Sequence, residues 1–213
     1  MRAAALIEEP KFRIVILPID ELKPHEKGSP IYFELLKQEV LKDQMLKYPI
    51  IADEKTCVIL DGMHRWLVLK SLGYTLIPVM LVDAFQTQEV HVGTRRIHRY
   101  IWNHNNGINI DKVISAGINR QLMEPRSTRH FFSFSKYQKI NYSLHLLNKR
   151  VPQDVSQYMA EMTIEESSLA IKDWMEEIRE EIGFLAKRKD EVEKEMEEFL
   201  HRIRHLNNGF AFS

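Results

Sequence analysis

Asp61, Gly62, His64 and Arg65 stand at one corner of the chain, in "ILDGMHRW", and together they have the makings of a phosphate site. An apolar strand pattern ends at Leu60 and a helical pattern begins near Met63, so Gly62 would let the backbone turn close to whatever sits there. The unpaired N–H groups and positive end of a helix attract anions. Arg65 would pair phosphate oxygens in a fork, and the His64 imidazole would donate one more hydrogen bond. Asp61 is the odd member, because a carboxylate repels phosphate unless a metal or a hydroxyl lies between them. That suggests phosphoryl transfer, in which an acidic residue holds Mg²⁺ or takes the proton of the attacking hydroxyl. The plain alternative makes Asp61 an N-cap and Arg65 a solvated side chain.

Two further stretches could contribute. "PRSTRH", residues 125–130, concentrates Arg126, Ser127, Thr128, Arg129 and His130 beside a proline turn. It could clamp a phosphate or a carboxylate, or be a polar loop with exposed arginines. In "KPHEKGSP", Glu26 lies just before a helix that Ser29 and Pro30 would start. A loop glutamate is ordinarily only solvated.

The elements that must position these residues read as a mixed α+β pattern. Residues 12 to 17 form a strand that stops at Pro18, and "IYFELLKQEVLKDQM" is a helix with Ile31, Leu35, Val40, Leu41 and Met45 on one side. "YPIIAD" and "TCVIL" form a strand, turn, strand unit that includes Cys57. "MHRWLVLKSLG" is a helix with Gly73 at its C′ position, and "IPVMLVD" is another strand. This order predicts a small mixed sheet with helices on one face. Residues 84–109 have no clean period, and Asn109 can cap a helix over "IDKVISAGINRQL". "MEPRSTRHFF" then leads from a turn into a strand, and residues 136 to 150 add one more strand.

The tail begins with a capping box, Thr163 and Glu166. Apolar residues from Ile171 to Leu206 then follow an alternating three-and-four spacing broken only by Lys189, the seam of a coiled coil. A helical hairpin bent near Gly183 fits the same pattern, and so does a homodimer. The chain therefore divides into residues 1–150, with the corner at 57–73 and the second clamp at 125–130, and a heptad region at 151–213.

Composition narrows the classes. The 213 residues include 30 basic and 30 acidic ones, which cancel and leave no global field for nucleic acid. No apolar run approaches the roughly 20 residues of a membrane span, and the single Cys57 cannot form an intrachain disulfide, so a reduced, cytoplasmic setting is expected. His98 and His104 lack a metal-ligand pattern, while His201 and His205, four apart near Glu197 and Glu198, could bind a metal by spacing but read first as a solvated helix face.

"LKPHE", "LKYPIIADEKTCVILDGMHRW" and "PRSTRH", in this order, resemble the archaeal free L-serine kinases of the ParB and sulfiredoxin-like superfamily, whose hallmark is D-G-H-H-R after a strand. The likeness runs from about Phe12 to Asp83 and returns from about Ile110 to His130. It implies an enzyme that phosphorylates the hydroxyl of free L-serine from ATP or ADP with Mg²⁺, giving O-phospho-L-serine for cysteine or phosphoserine metabolism. On the matching positions, Glu26 becomes the candidate base, with Asp61 as the other carboxylate that could serve, and Asp61, Gly62, His64 and Arg65 become the nucleotide-phosphate and metal corner, with Asp61 the candidate Mg²⁺ ligand. Ser127, Thr128, Arg129 and His130 become the second clamp, so that two cationic clamps flank the site. Met63 stands where the motif has its first histidine, which removes one donor. Rival readings are a ParB-type DNA-partition or regulatory module, a sulfiredoxin, and a noncatalytic coiled-coil scaffold. The first lacks a basic helix-turn-helix region, and the second lacks a cysteine in the motif. The scaffold has no need of Glu26, the corner and the STRH cluster together.

Overall fold

The computed structural model describes residues 14–86, 90–93, 108–125 and 127–209. The chain divides into two compact units, Met1–Ser167 and Ser168–Ser213. The first contains strands β1 (Ile14–Pro18), β2 (Met45–Leu46), β3 (Ile50–Asp53), β4 (Ile59–Asp61), β5 (Leu76–Val82), β6 (Val90–Gly93), β7 (Arg129–Phe132) and β8 (Tyr142–Ser143). Its helices are α1 (Pro30–Asp43), α2 (Met63–Ser71) and α3 (Ile110–Asn119), and a fourth, α4 (Ile164–Gly209), starts within it.

The main sheet has the order β1-β5-β3-β4. β5 pairs antiparallel with β1 and parallel with β3, and β3 returns antiparallel to β4 through a turn. The sheet is therefore mixed, as the alternation of hairpin and crossover connections predicts. Two short pairs, β2 with β8 and β6 with β7, lie outside it.

Alternation along the central strands sends side chains to two cores. Ile50, Ala52 and Val79 join Phe33 and Val40 of α1 and Trp66, Leu67, Val68 and Leu69 of α2. Ile51, Met80 and Val82 join Val113 and Ile114 of α3. Helices thus cover both faces of the sheet, where the sequence order predicted one, because both faces of β3 and β5 are apolar. The fully buried Trp66 anchors α2 by donating its indole N–H to the Ile19 carbonyl at 2.9 Å.

Several local expectations change. The buried stripe of α1 is Phe33, Leu36 and Val40, while Leu35, Leu41 and Met45 are exposed. Cys57 sits in the β3–β4 turn at φ 59°, partly exposed, rather than in a strand. Ser29 precedes α1 but makes no side-chain cap, and its hydroxyl lies 2.5 Å from that of Ser167. Asn109 does cap α3, accepting from Lys112 N, and Gly73 follows α2 at φ +85°. Residues 136–150 contribute only the two-residue β8 and a short 3₁₀ turn.

The capping box is formed in both directions, with Thr163 N donating to Glu166 and Glu166 N donating to Thr163 Oγ1. Helix α4 is continuous through Gly183. Along it Met175, Ile182 and Met196 are exposed. No helix among the described residues is long and apolar enough to cross a membrane.

Candidate active site

The corner forms where β4 ends at Asp61 and α2 starts at Met63. Gly62 makes the turn at φ +98°, and a Cβ there would lie 2.9 Å from the Arg65 guanidinium. Arg65 folds back over the glycine to meet Asp61 at 2.5 Å. The other Asp61 oxygen accepts from Lys136 at 3.1 Å. Asp61 does not cap α2, whose N-cap is Gly62 without a side-chain bond. Burial would raise the Asp61 carboxyl, but Arg65 and Lys136 together hold it below the usual carboxylate range.

His64 lies in the first turn of α2. Its Nε2 accepts from the Ser29 backbone N–H at 2.8 Å, tying α2 to the start of α1. A phosphate could receive a hydrogen from this ring only through Nδ1. Met63, the first residue of α2, is buried in the core that α1 and α2 share, and its thioether gives the corner no N–H donor.

The segment carrying Glu26 is clamped by backbone bonds from Lys27 N to the Met123 carbonyl and from Met123 N to the His25 carbonyl, both 2.9 Å. His25 is buried and spans the site, its Nδ1 2.6 Å from the Ile59 carbonyl on β4 and its Nε2 2.8 Å from Thr128 Oγ1. Thr128 Oγ1 lies 3.3 Å from Glu26 Oε2. His130 sits edge-on to His25, with ring centroids 5.3 Å apart, and within electrostatic reach of Asp61 and Lys136. These contacts join Glu26, Thr128 and His130 to the strand that carries Asp61.

The second cluster differs from a cationic clamp. Burial lowers His25 to about 4 and His130 to about 3, so both rings are neutral near pH 7. Arg129 lies on the opposite side of β7 from His130, its guanidinium 5.2 Å over the Phe131 ring, because side chains alternate along a strand. Arg126, Tyr100, Trp102, His98 and His104 lie outside the described residues. Among the described residues, Ser127 Oγ and His130 Nε2 are buried without a hydrogen-bond partner. Such atoms are costly to bury alone and are suited to receive a ligand's polar groups.

Two participants escaped sequence reasoning. Lys136 follows β7 in a turn, and nothing in "FSFSKYQ" marks it as a partner of Asp61. His25 adjoins Glu26, but its bridging role requires knowing that Ile59 and Thr128 lie on either side. No cluster of three or more metal-ligating side chains occurs among the described residues.

No protein-family model matches the chain. An ATP-dependent L-serine kinase of Staphylothermus marinus is 31% identical over 33% of this chain and 30% of its own length. A ParB-like protein of Sulfolobus acidocaldarius is 34% identical over 34% of this chain and 35% of its own. The match thus spans only about a third of these curated relatives. Among solved structures, a free serine kinase in complex with AMP aligns with TM-score 0.52 at 15% identity, over 63% of this chain and 93% of that one. A variant in complex with ADP aligns with TM-score 0.51 at 15% identity, over 63% and 94%. At such identity the structural likeness is one of fold. The likeness thus covers about a third of the chain in sequence and more than half of it in fold: this chain is similar to the free L-serine kinases and, in sequence, to a ParB-like protein.

Proposed function

We propose that this chain is a free L-serine kinase, transferring the terminal phosphoryl group of ATP or ADP to the hydroxyl of L-serine to give O-phospho-L-serine. The observation that carries the reading is the connection of Glu26, through Thr128 and His25, to the strand whose end holds Asp61 between Arg65 and Lys136. A carboxylate for a nucleophile and cations for a phosphate are what phosphoryl transfer requires of a protein.

In this reading Glu26 accepts the proton of the serine hydroxyl as that oxygen forms the new bond to phosphorus. The bond from phosphorus to its bridging oxygen breaks, and the nucleotide leaves one phosphate shorter. Arg65, Lys136, His64 Nδ1 and the first N–H groups of α2 offset the charge on the phosphates. Ser127 Oγ and His130 Nε2 orient polar groups of the substrate. Arg129, on the far side of β7, contributes at most to the rim.

The residues fit a Mg²⁺ carried mainly by nucleotide phosphates, because Asp61 is a charged carboxylate beside the phosphate corner and no all-protein cage is needed. Bound there, Mg²⁺ would neutralise phosphate charge, with Asp61 as its protein ligand. On the same proposal residues 1–150 form the catalytic domain. A second copy of the chain pairs with the heptads of 151–213, and the enzyme works in the cytoplasm, supplying phosphoserine for cysteine or phosphoserine metabolism.

The test is phosphorus-31 NMR of purified protein with L-serine, Mg²⁺ and either ATP or ADP. Phosphoserine with ADP as coproduct identifies ATP as donor, and phosphoserine with AMP identifies ADP. Nucleotide binding without product from either donor would favour the noncatalytic readings, the regulatory module or the scaffold, for the second of which Met63 in place of a histidine donor is the best argument.

A further inference from the structure

The hydrogen-bond chain beside Glu26 has a direction. The Ile59 carbonyl can only accept, so the hydrogen of the neutral His25 ring resides on Nδ1, 2.6 Å away. His25 Nε2 is then a lone pair, and the contact at 2.8 Å must be filled by the Thr128 hydroxyl hydrogen. A hydroxyl has one hydrogen. Two acceptors stand within its reach, His25 Nε2 at 2.8 Å and Glu26 Oε2 at 3.3 Å, and the closer lone pair on His25 takes it, leaving the Thr128 oxygen to face Glu26 with lone pairs.

We infer that His25, acting through Thr128, is a positioning residue that raises the proton affinity of Glu26. It draws the Thr128 hydrogen to itself and leaves the Thr128 oxygen as an acceptor toward the carboxyl group. An ionised Glu26 gains no hydrogen bond from this neighbour, whereas protonated Glu26 can donate to it. Hydrogen bonding that favours the neutral form makes a carboxylate a stronger base. The inference rests on the kinase reading for its consequence, since a general base works best when its proton affinity suits the working pH. The hydrogen count itself does not depend on that reading, and it holds with other partners present on Glu26.

The low proton affinity of His25, set mainly by burial, keeps the ring neutral so that Nε2 stays an acceptor. Other titratable and charged groups surround the pair among the described residues. His25 and Lys27 flank Glu26, with His25 Nε2 4.0 Å from Glu26 Oε2. Glu124 pairs with Lys27 at 3.6 Å. His130 lies against His25, and Asp61 with Arg65 and Lys136 lies within electrostatic reach of His130.

The experiment is a carbon-13 NMR titration of side-chain carboxyls in the whole chain without substrate, the Glu26 signal being the one lost in Glu26→Gln. Thr128→Val removes the acceptor and should lower the Glu26 midpoint. If Thr128 instead donates to Glu26, the same change raises it, and that result overturns the inference. His25→Asn keeps a donor for Ile59 but cannot reach Thr128, whose hydrogen then turns to Glu26. The midpoint should fall by about one pH unit, and an unchanged midpoint overturns the inference. Thr128→Ser keeps the hydroxyl and should titrate like the wild type; behaviour like that of Thr128→Val also overturns it. In activity measurements the acidic limb of kcat/KM should move down with the midpoint in His25→Asn, whereas a merely structural role would lower the plateau and leave the limb in place. Carboxyl shifts as expected in a protein that forms no phosphoserine would retire the kinase reading and uphold the chain.

Discussion

Lys136 and Arg65 share Asp61, and a shared carboxylate leaves each cation only partly neutralised. An incoming phosphate can therefore compete for both, which makes Lys136 a phosphate ligand on the proposed reading. Lys136→Met should lower kcat/KM for the nucleotide about tenfold, or ~1.4 kcal/mol, with little change in the KM for serine. Steady-state kinetics checks this, and a fall in melting temperature with unchanged kinetics would make Lys136 a structural partner alone. Glu26→Gln removes the proposed base while keeping shape, so kcat should fall by roughly 10²- to 10⁴-fold while nucleotide affinity, read by calorimetry, changes little. The two buried histidines also predict a pH dependence of stability. Their folded values, about 4 for His25 and about 3 for His130, lie below the ordinary 6.5. Between these limits the unfolded chain binds more protons, so stability is full above 6.5 and declines as pH falls toward 4. Each histidine contributes a slope approaching about 1.4 kcal/mol per pH unit well below 6.5. Urea denaturation at several pH values reads the slope, and His130→Gln should reduce it; an unchanged slope would remove His130 as a source.

The β4–α2 turn is the element on which the corner depends. Gly62→Ala would require a side chain at φ +98° and would press on the Arg65 guanidinium. The expected result is a loss of stability of about 1–2 kcal/mol and a larger loss of nucleotide binding than of overall fold. Retained affinity in calorimetry would show that Arg65 can relocate without consequence. This turn was readable from sequence because it combines an apolar run, a glycine and a helical period within a few residues. The same held for α3, whose cap and period are both local. The burial of α1 was not readable: Phe33, Leu36 and Val40 share its inner side, but Leu35 and Leu41 are equally apolar, and only tertiary packing decides. His25 and Lys136 escaped for a related reason. Their chemistry arises from partners 34 and 103 residues away for His25 and 75 residues away for Lys136, and no local pattern encodes such meetings.

At the scale of the whole molecule the unused feature is the apolar seam of α4. Met175, Ile182 and Met196 occupy one heptad position and are exposed, and Val192 occupies the complementary position at the border of exposure. The seam was legible in the sequence because a heptad is a local period, whereas its partner was not. A second copy suits it better in parallel than antiparallel orientation. In the parallel register Arg188 of one chain falls opposite Glu193 of the other, at the flanking positions that choose partners. In the antiparallel arrangement that aligns the whole seam, Arg188 would meet its own counterpart. Lys189 breaks the seam once and lies 3.4 Å from Glu193 of its own chain, which moderates the repulsion between two such lysines in one layer. Sedimentation velocity should therefore give the mass of two chains, and Ile182→Glu with Met196→Glu should give one, with helicity reduced. For orientation, Met175→Cys in a Cys57→Ser background should oxidise to a covalent dimer by itself. Crosslinking only on mixing with Phe199→Cys in the same background would instead establish the antiparallel pair, and a monomeric wild-type chain would remove the second copy as occupant of the seam.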